Sequence, residues 1–493
     1  MSLQVLLRFI GFAICASAIL IVGCVSRDCA RCGDLPEPPP FSDTGDVVAP
    51  DRWWLAFEDA ALDFYINQSF EGSYGLEAAL QRVCAARAIA RREASDLRID
   101  LDGVSSVNSA FGPGPDTSIY RWGFDVSYQI DLWGEIESRV AAQRIRARAA
   151  CDNYHAVALT LTADIATTWF SLIEAQAQIE LLQQQIETNR TGLELQESRF
   201  GLGLIRSADV LRQRQLLEST LEQAVVAESR FKLLEHQLAV LLGEPPQFAT
   251  YEPGSILPQL PPLPSTGLPA ELVTRRPDVR RDYLACCAAD RDLASAVSAQ
   301  YPRLNFNTSI SNIAEDPSDL FRDWFVSIGS QLIAPLLDGG QRRAEVARNC
   351  AVKRELFNLY AQTVLNAFRE VEDNLVQEKY QLQRIKHLEE QVRLAGQASD
   401  QLRDQYLIGD VEYLDVLSAI TGQQSLQRQL LSAQLELRLI RISLYLSLAG
   451  GFDPQCQVTE DVSDTESIPI EQQEAPPEQD TTEEDQIIEE NNE

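Results

Sequence analysis

The chain repeats itself. Phe200-x-x-Gly203 returns as Tyr406-x-x-Gly409, and Asp209-Val210-Leu211 returns as Asp415-Val416-Leu417, both displaced by 206 residues. Tyr154 and Leu242 fall on Tyr360 and Leu448 at the same displacement. A register held over so long a stretch means two copies of one unit that pack as pseudo-symmetric neighbours. A Pro-rich linker, 245–269, divides the expected first repeat, 51–244, from the second, 270–452. Each reads in the same order: a short helical segment, two strand-like stretches, one very long helix, a Gly turn and a second helix.

The long helices carry a seven-residue period. Ile165, Leu172, Ile179, Ile186, Leu193 and Phe200 recur at that spacing; their counterparts are Val371, Glu378, Ile385, Val392, Ser399 and Tyr406. Such a period wraps helix on helix. Glu135 to Phe200 is 66 residues, a rod of ~100 Å if fully helical. Helical hairpins are therefore expected over 135–243 and 341–449. A compact globular domain has no use for such rods; a tube or a tether crossing a compartment does.

Strands are expected at about 97–111, 119–131, 303–313 and 324–336. Each alternates with period two. Trp122, Phe124, Val126, Tyr128 and Ile130 oppose Gly123, Asp125, Ser127 and Gln129. Leu97, Ile99 and Leu101 oppose Arg98, Asp100 and Asp102. Leu304, Phe306 and Ile310 oppose Asn305, Asn307 and Ser309; Trp324, Val326, Ile328 and Leu332 oppose Ser327, Gly329 and Gln331. One apolar and one polar face at about ten residues per strand is the pattern of a lipid-facing, water-lined barrel. Tyr120, Trp122, Phe321 and Trp324 stand near strand ends, as interfacial aromatics do. Gly112–Asp116 and Glu315–Asp319 would be the outer loops. An amphipathic sheet on a soluble core is the alternative. Four strands are too few to close a membrane barrel, and open edges are not tolerated in lipid. The barrel reading therefore requires strands pooled between copies, and three copies supply twelve.

The termini add a location. An apolar run from Phe9 to Val22, after Arg8, reads as a signal-peptide core over 1–23. Ile21-Val22-Gly23-Cys24 resembles the lipobox of bacterial lipoproteins, which implies lipid on Cys24. Residues 24–50 form a Pro-rich tether. No later stretch reaches the length of a membrane-spanning helix. The chain carries 42 basic and 73 acidic residues, net −31, the wrong sign for a nucleic-acid binder. Residues 457–493 contain 14 acidic residues and no Lys or Arg, so 453–493 is expected to be a solvated, disordered tail. Cys29 and Cys32 form a lone pair in the tether, read as a local disulfide or free thiols; Cys84, Cys151, Cys286, Cys287 and Cys350 read as small buried apolar residues. His155, His236 and His387 sit on helices without ligand spacing. No phosphate loop, zinc helix or nucleophile elbow is present, so no enzyme, cofactor or metal site is expected.

The most specific motif is Leu272-x-x-Arg275-Arg276-Pro277-Asp278-Val279, followed by an Ala-rich helix that ends at Tyr301-Pro302 before a strand. With Trp53-Trp54-x-x-Phe57, Asp131-Leu132-Trp133-Gly134 and the two turns, it resembles the outer-membrane efflux protein family of the TolC/OprM type, in its NodT-like lipoprotein branch, over roughly 50–452. Arg281-Asp282-Tyr283 replaces the Ala-Glu pair usual after the signature, and the acidic tail and many cysteines are atypical. The resemblance implies an α+β membrane protein: a homotrimer whose 12-stranded outer-membrane barrel continues into a long periplasmic α-helical coiled-coil barrel. It further implies a lipid-facing set Trp122, Phe124, Val126, Tyr128, Trp324, Val326 and Ile328. The tips Gly201, Leu202, Gly203, Leu204 and Leu407, Ile408, Gly409, Asp410 would meet a periplasmic membrane-fusion adaptor. Asp415 matches an acidic gate position, with Asp209 its repeat twin; Ser418 replaces the family's second acidic position. The alternative for both aspartates is to cap or charge a first helical turn.

The reading is a passive exit duct for small toxic molecules, served by the adaptor and an inner-membrane RND-type pump. Type I protein or peptide secretion through the same duct, and a pore-less coiled-coil tether, are the alternatives.

Overall fold

The structure, a computed structural model, describes residues 39–448 except 48, 49, 112, 114–116, 268 and 320. The signal segment, Cys24, the Cys29/Cys32 pair, most of the first outer loop and the acidic tail lie outside the described residues.

Helices α1 (Ala60–Gly72) and α2 (Tyr74–Ser95) lead into β1 (Asp100–Ala110) and β2 (Thr117–Ile130), then the long α3 (Glu135–Gly201) and α4 (Ser207–Leu242). After the linker come α5 (Pro269–Arg275), α6 (Pro277–Ser298), β3 (Arg303–Ala314), β4 (Trp324–Ile333), α7 (Gln341–Ile408) and α8 (Tyr413–Leu448). The duplication is metric as well as sequential. The long helices have 67 and 68 residues and the return helices 36 each.

Local chemistry sets the corners. At the entry to α3 the Asp131 carboxylate accepts from the backbone N–H of Glu135 and Glu137, both at 2.7 Å. Asp338 does the same for Gly340 and Arg342 at the entry to α7, at 3.0 and 3.2 Å. These bonds satisfy N–H groups that a helix start leaves orphaned. Gly134 and Gly340 adopt the left-handed conformation there.

The sheet has the order β1-β2-β3-β4, all antiparallel, with β1 and β4 as open edges. Its register puts Trp122 opposite Ser105 and Asn312, Phe124 opposite Gly103 and Ile310, and Val126 opposite Leu101 and Thr308. On β4, Trp324, Val326 and Ile328 continue the same rows. The apolar sets of all four strands therefore share one face, as the alternation expects. Leu97 and Ile99 do not join it, because β1 opens only at Asp100, after a turn that follows α2.

The core lies midway along the rods. Trp53, Trp54 and Phe57 pack against Ile165, Phe170 and Tyr445. The Trp53 ring stacks on Tyr445 at 5.8 Å and its indole N–H donates to Thr162 Oγ1 at 3.2 Å. One window of α3 is long and apolar enough to cross a membrane, contrary to the expectation that none exists. It is buried among other helices, which accounts for its hydropathy without a membrane.

The signature Arg276-Pro277-Asp278 joins this core to the second repeat. Arg276 is extended, as a residue before proline must be, and Pro277 opens α6. The Arg276 guanidinium donates to Asp278 at 2.7 Å, to Glu370 at 2.8 Å and to the Ser447 carbonyl at 3.2 Å. One side chain thus ties α6, α7 and the end of α8.

Candidate functional site

The two hairpin ends are built alike. In the first, Gly203 N–H donates to the Phe200 carbonyl at 2.8 Å and Leu204 N–H to Arg199 at 3.0 Å; in the second, Gly409 donates to Tyr406 at 3.1 Å and Asp410 to Gln405 at 2.9 Å. These are equivalent helix-ending turns, 206 residues apart. Gly203 and Gly409 have φ of +73° and +85°, and an added Cβ would meet nothing within 4 Å. The chain reversal, and not crowding, calls for glycine there. Leu202, Leu204, Leu407 and Ile408 are exposed, Ile408 at 81%. Each tip therefore offers apolar side chains to solvent.

Asp209 and Asp415 stand in the first turns of α4 and α8. The Asp209 carboxylate pairs with Arg212 at 3.3 Å. Asp415 is exposed and makes no side-chain hydrogen bond or ion pair among the described residues. The twins have diverged: one is neutralised on its own helix, the other is open to solvent. Neither is an N-cap, since the α4 cap position is Arg206 and Asp415 lies inside α8.

Just inside the tips, aromatic and amide groups join the two hairpins. Tyr406 OH donates to Gln196 Oε1 at 3.0 Å, and Tyr413 OH donates to Gln213 Oε1. The Tyr406 and Tyr413 rings lie 5.3 Å apart, and Arg199 stands 4.6 Å over the Tyr406 ring. Burial, then the neighbouring Tyr406 and Asp209, raises the Tyr413 phenol above its ordinary pKa. A cleft of about 380 Å3 opens here, lined among others by Asn189, Gln196, Arg403 and Tyr406.

Above the cleft runs a buried polar ladder that the sequence reading missed. Beyond Leu172 the buried face of α3 passes to Glu174, Gln178, Leu182, Gln185, Asn189 and Gln196. The expected heptad positions Ile179, Ile186 and Leu193 are only partly buried, and Phe200 is exposed. Gln178 Nε2 donates to the Arg428 carbonyl at 3.0 Å; Gln185 Nε2 donates to Gln427 Oε1 at 3.0 Å, and Gln185 Oε1 accepts from Arg428 at 2.6 Å. Asn189 and Gln424 exchange amide hydrogen bonds at 3.0 and 3.3 Å. Asn189 also donates to Thr220 at 2.9 Å, and its carbonyl accepts from Gln213 at 2.7 Å. Four- and seven-residue steps through Glu, Gln and Asn were the available signal, but a search for apolar periodicity passes over them. Cys84, Cys151, Cys286, Cys287 and Cys350 are partly exposed, not buried as expected, and Cys151 and Cys350 are each disulfide-bonded.

The fold and its comparisons agree on a class. The family described as "Outer membrane efflux protein" matches residues 65–244 and 268–450, one stretch per repeat. The chain belongs to that family: it is an outer-membrane efflux channel protein, and not an enzyme. It is 27% identical to the pyoverdine export outer membrane protein OpmQ of Pseudomonas aeruginosa over 84% of this chain and 90% of that protein. Nodulation protein T of Rhizobium leguminosarum bv. trifolii is 26% identical over 91% and 99%. Among solved structures, the outer-membrane channel OprN superposes with a TM-score of 0.77 at 24% identity, covering 86% of this chain and 99% of that one. The open state of the Neisseria gonorrhoeae MtrE channel gives 0.76 at 21% identity, over 86% and 97%.

Proposed function

We propose that three copies of the chain pool their strands into one 12-stranded barrel and that their hairpins form the continuing duct. That duct is the exit of a tripartite pump: an inner-membrane transporter of the RND type delivers small toxic molecules, and a periplasmic adaptor seats on the tips. The observation that carries this is the sheet. It gathers the apolar sets of its strands on one face and has two unpaired edges, an arrangement that lipid tolerates only when the edges are closed by other strands. Trp122, Phe124, Val126, Tyr128, Trp324, Val326 and Ile328 then face lipid. The exposed Leu202, Leu204, Leu407 and Ile408, with the glycines beside them and Asp410, are the adaptor surface. Asp415 is the gate carboxylate: its openness to solvent lets three copies gather and attract cations, whereas Asp209 is held by Arg212.

A small-molecule cargo is favoured by the relatives, among them proteins named for pyoverdine export, solvent efflux and cation efflux. Lipid on Cys24 would hold the tether in the outer membrane.

The test joins mass to conductance. The protein mass of the detergent-solubilised particle, by light scattering with detergent subtracted, should equal three chains, and the particle should conduct in a planar bilayer. A single-chain mass with no conductance would move the chain to a pore-less tether. Loss of a secreted protein on deletion, with drug susceptibility unchanged, would assign the duct to protein secretion.

A further inference from the structure

Inside one chain the two hairpins meet along α3 and α8. Helix α4 packs on α3 and α7 packs on α8, so the order is α4, α3, α8, α7, with α4 and α7 at the lateral borders. The 206-residue displacement carries α3 onto α7 and α4 onto α8 with their first residues matched, Glu135 on Gln341 and Ser207 on Tyr413. The twin of the α3–α8 joint is therefore a joint between α7 and α4. One chain cannot make it, because α3 and α8 stand between the two helices.

The borders carry the side chains that such a joint needs. On α4, Val226, Leu233 and Val240 are exposed at a seven-residue spacing. Their twins on α8 are Ser432, Leu439 and Leu446. Ser432 donates to Glu174 at 3.0 Å, and both leucines pack against the core cluster that holds Leu159 and Phe170. On α7, Leu365, Val376 and Tyr380 are exposed, Tyr380 at 63%. Their twins on α3 are Leu159, Phe170 and Glu174, all buried. On both borders a side chain left open in the single chain stands where its twin is covered. Apolar side chains exposed at a heptad spacing call for a second helix.

The charges on the two borders are complementary. Gln178 bonds the Arg428 carbonyl at 3.0 Å and Gln185 the Gln424 carbonyl at 3.4 Å. The twins of Arg428 and Gln424 on α4 are Glu222 and Glu218; those of Gln178 and Gln185 on α7 are Arg384 and Gln391, and all four are exposed. The α4 border is acidic at the level where the α7 border offers a guanidinium and an amide. Arg384 pairs with Glu436 of its own hairpin at 2.6 Å, both half-exposed. A guanidinium has five N–H donors and can serve a second carboxylate.

We propose that α4 of one copy packs on α7 of the next, with Val226 against Tyr380, Glu222 paired with Arg384, and Gln391 donating to Glu218. The joint rests on the trimer proposed above and names the faces that close it. It continues the line of the sheet, whose open β4 edge leads into α7. It is also directional. Two α4 borders would set Glu222 against Glu222 and two α7 borders Arg384 against Arg384, so copies join head to tail and close a ring.

The test uses the full-length detergent-solubilised particle of the Arg384→Lys variant, which keeps the charge and gives a carbodiimide an amine to join to a carboxylate. The in-chain pair Lys353–Asp290, at 2.5 Å, reports that the reagent works. The expected result is bands of two and three chains on a denaturing gel, with residues 222 and 384 linked in their tandem mass spectra. Light scattering on the same sample separates the joint from the duct. A three-chain mass with Lys353 and Asp290 linked, but no link between 222 and 384, overturns the joint and leaves the duct. So does a 222–384 link confined to the single-chain band. A single-chain mass overturns both. As a second measurement, Glu222→Arg and Arg384→Glu should each lower the temperature at which the particle falls to single chains, and the two together should restore it. Losses that merely add overturn the pairing.

Discussion

At the level of single residues, the polar ladder makes the sharpest demands. Asn189 and Gln424, both buried, exchange hydrogen bonds through their amides. Replacing one partner leaves the other buried without its bond, at about 1–3 kcal/mol, while replacing both with apolar groups of similar shape is nearly neutral. Asn189→Leu should lower the unfolding temperature, and Asn189→Leu with Gln424→Leu should recover most of the loss. A double-mutant cycle by thermal unfolding checks this; additive losses would mean that the pair is not coupled. Asp278 supplies a pH signature. Burial pulls its carboxyl upward, but the hydrogen bond and charge of Arg276 outweigh it, so the folded pKa lies below the ordinary 3.8. A depressed carboxylate stabilises the fold above the unfolded pKa, and the contribution disappears as pH falls through the folded value. The stability gap between the wild-type chain and Asp278→Asn, about 1 kcal/mol by the usual worth of such a bond, should be full at pH 6 and close below pH 3.8 in denaturant titrations. A gap that stays constant down to pH 2 would contradict the assignment.

Elements whose physics is local were legible in the sequence. Strand alternation has period two, so the apolar face could be written down before any pairing was known. The tip turns announced themselves through Gly203 and Gly409, because few other residues adopt positive φ at a helix end. Gly409→Ala should cost about 1–2 kcal/mol, with Gly409→Asn milder. Gly201→Ala, in the helical part of the same tip, should be neutral or stabilising by up to about 1 kcal/mol. Unfolding temperatures of the three variants decide it, and equal effects at positions 201 and 409 would mean that φ is not the cause. What was not legible is non-local. The ladder departs from apolar periodicity because its partners come from another helix more than 200 residues away, so the heptad Ile179, Ile186 and Leu193 drew the eye to the wrong face. The divergence of Asp209 from Asp415 was equally hidden, since it turns on Arg212, one turn along from Asp209, where the 206-residue twin is Ser418.

For the whole molecule, the two faces of the sheet can be told apart by where a charge is tolerated. Val326→Arg places a cation on the apolar face, where the penalty near a bilayer midplane is about 2–4 kcal/mol. It should reduce the yield of assembled particle in membrane fractions. Ser327→Arg, one residue on, points to the polar face and should leave the yield unchanged while shifting ion selectivity in a planar bilayer. The reverse pattern would invert the barrel. The duplication has a mechanical consequence. The ladder along α3 at Gln178, Gln185, Asn189 and Gln196 has Arg384, Gln391, Ala395 and Leu402 as its 206-residue twins, so it was not copied into the second half. A fully satisfied network of buried amides holds its two helices in one register, because each bond lost strands a buried polar group. In the proposed trimer of six hairpins this ladder lies once inside each chain, so the wall of the duct would repeat three times around its circumference and not six.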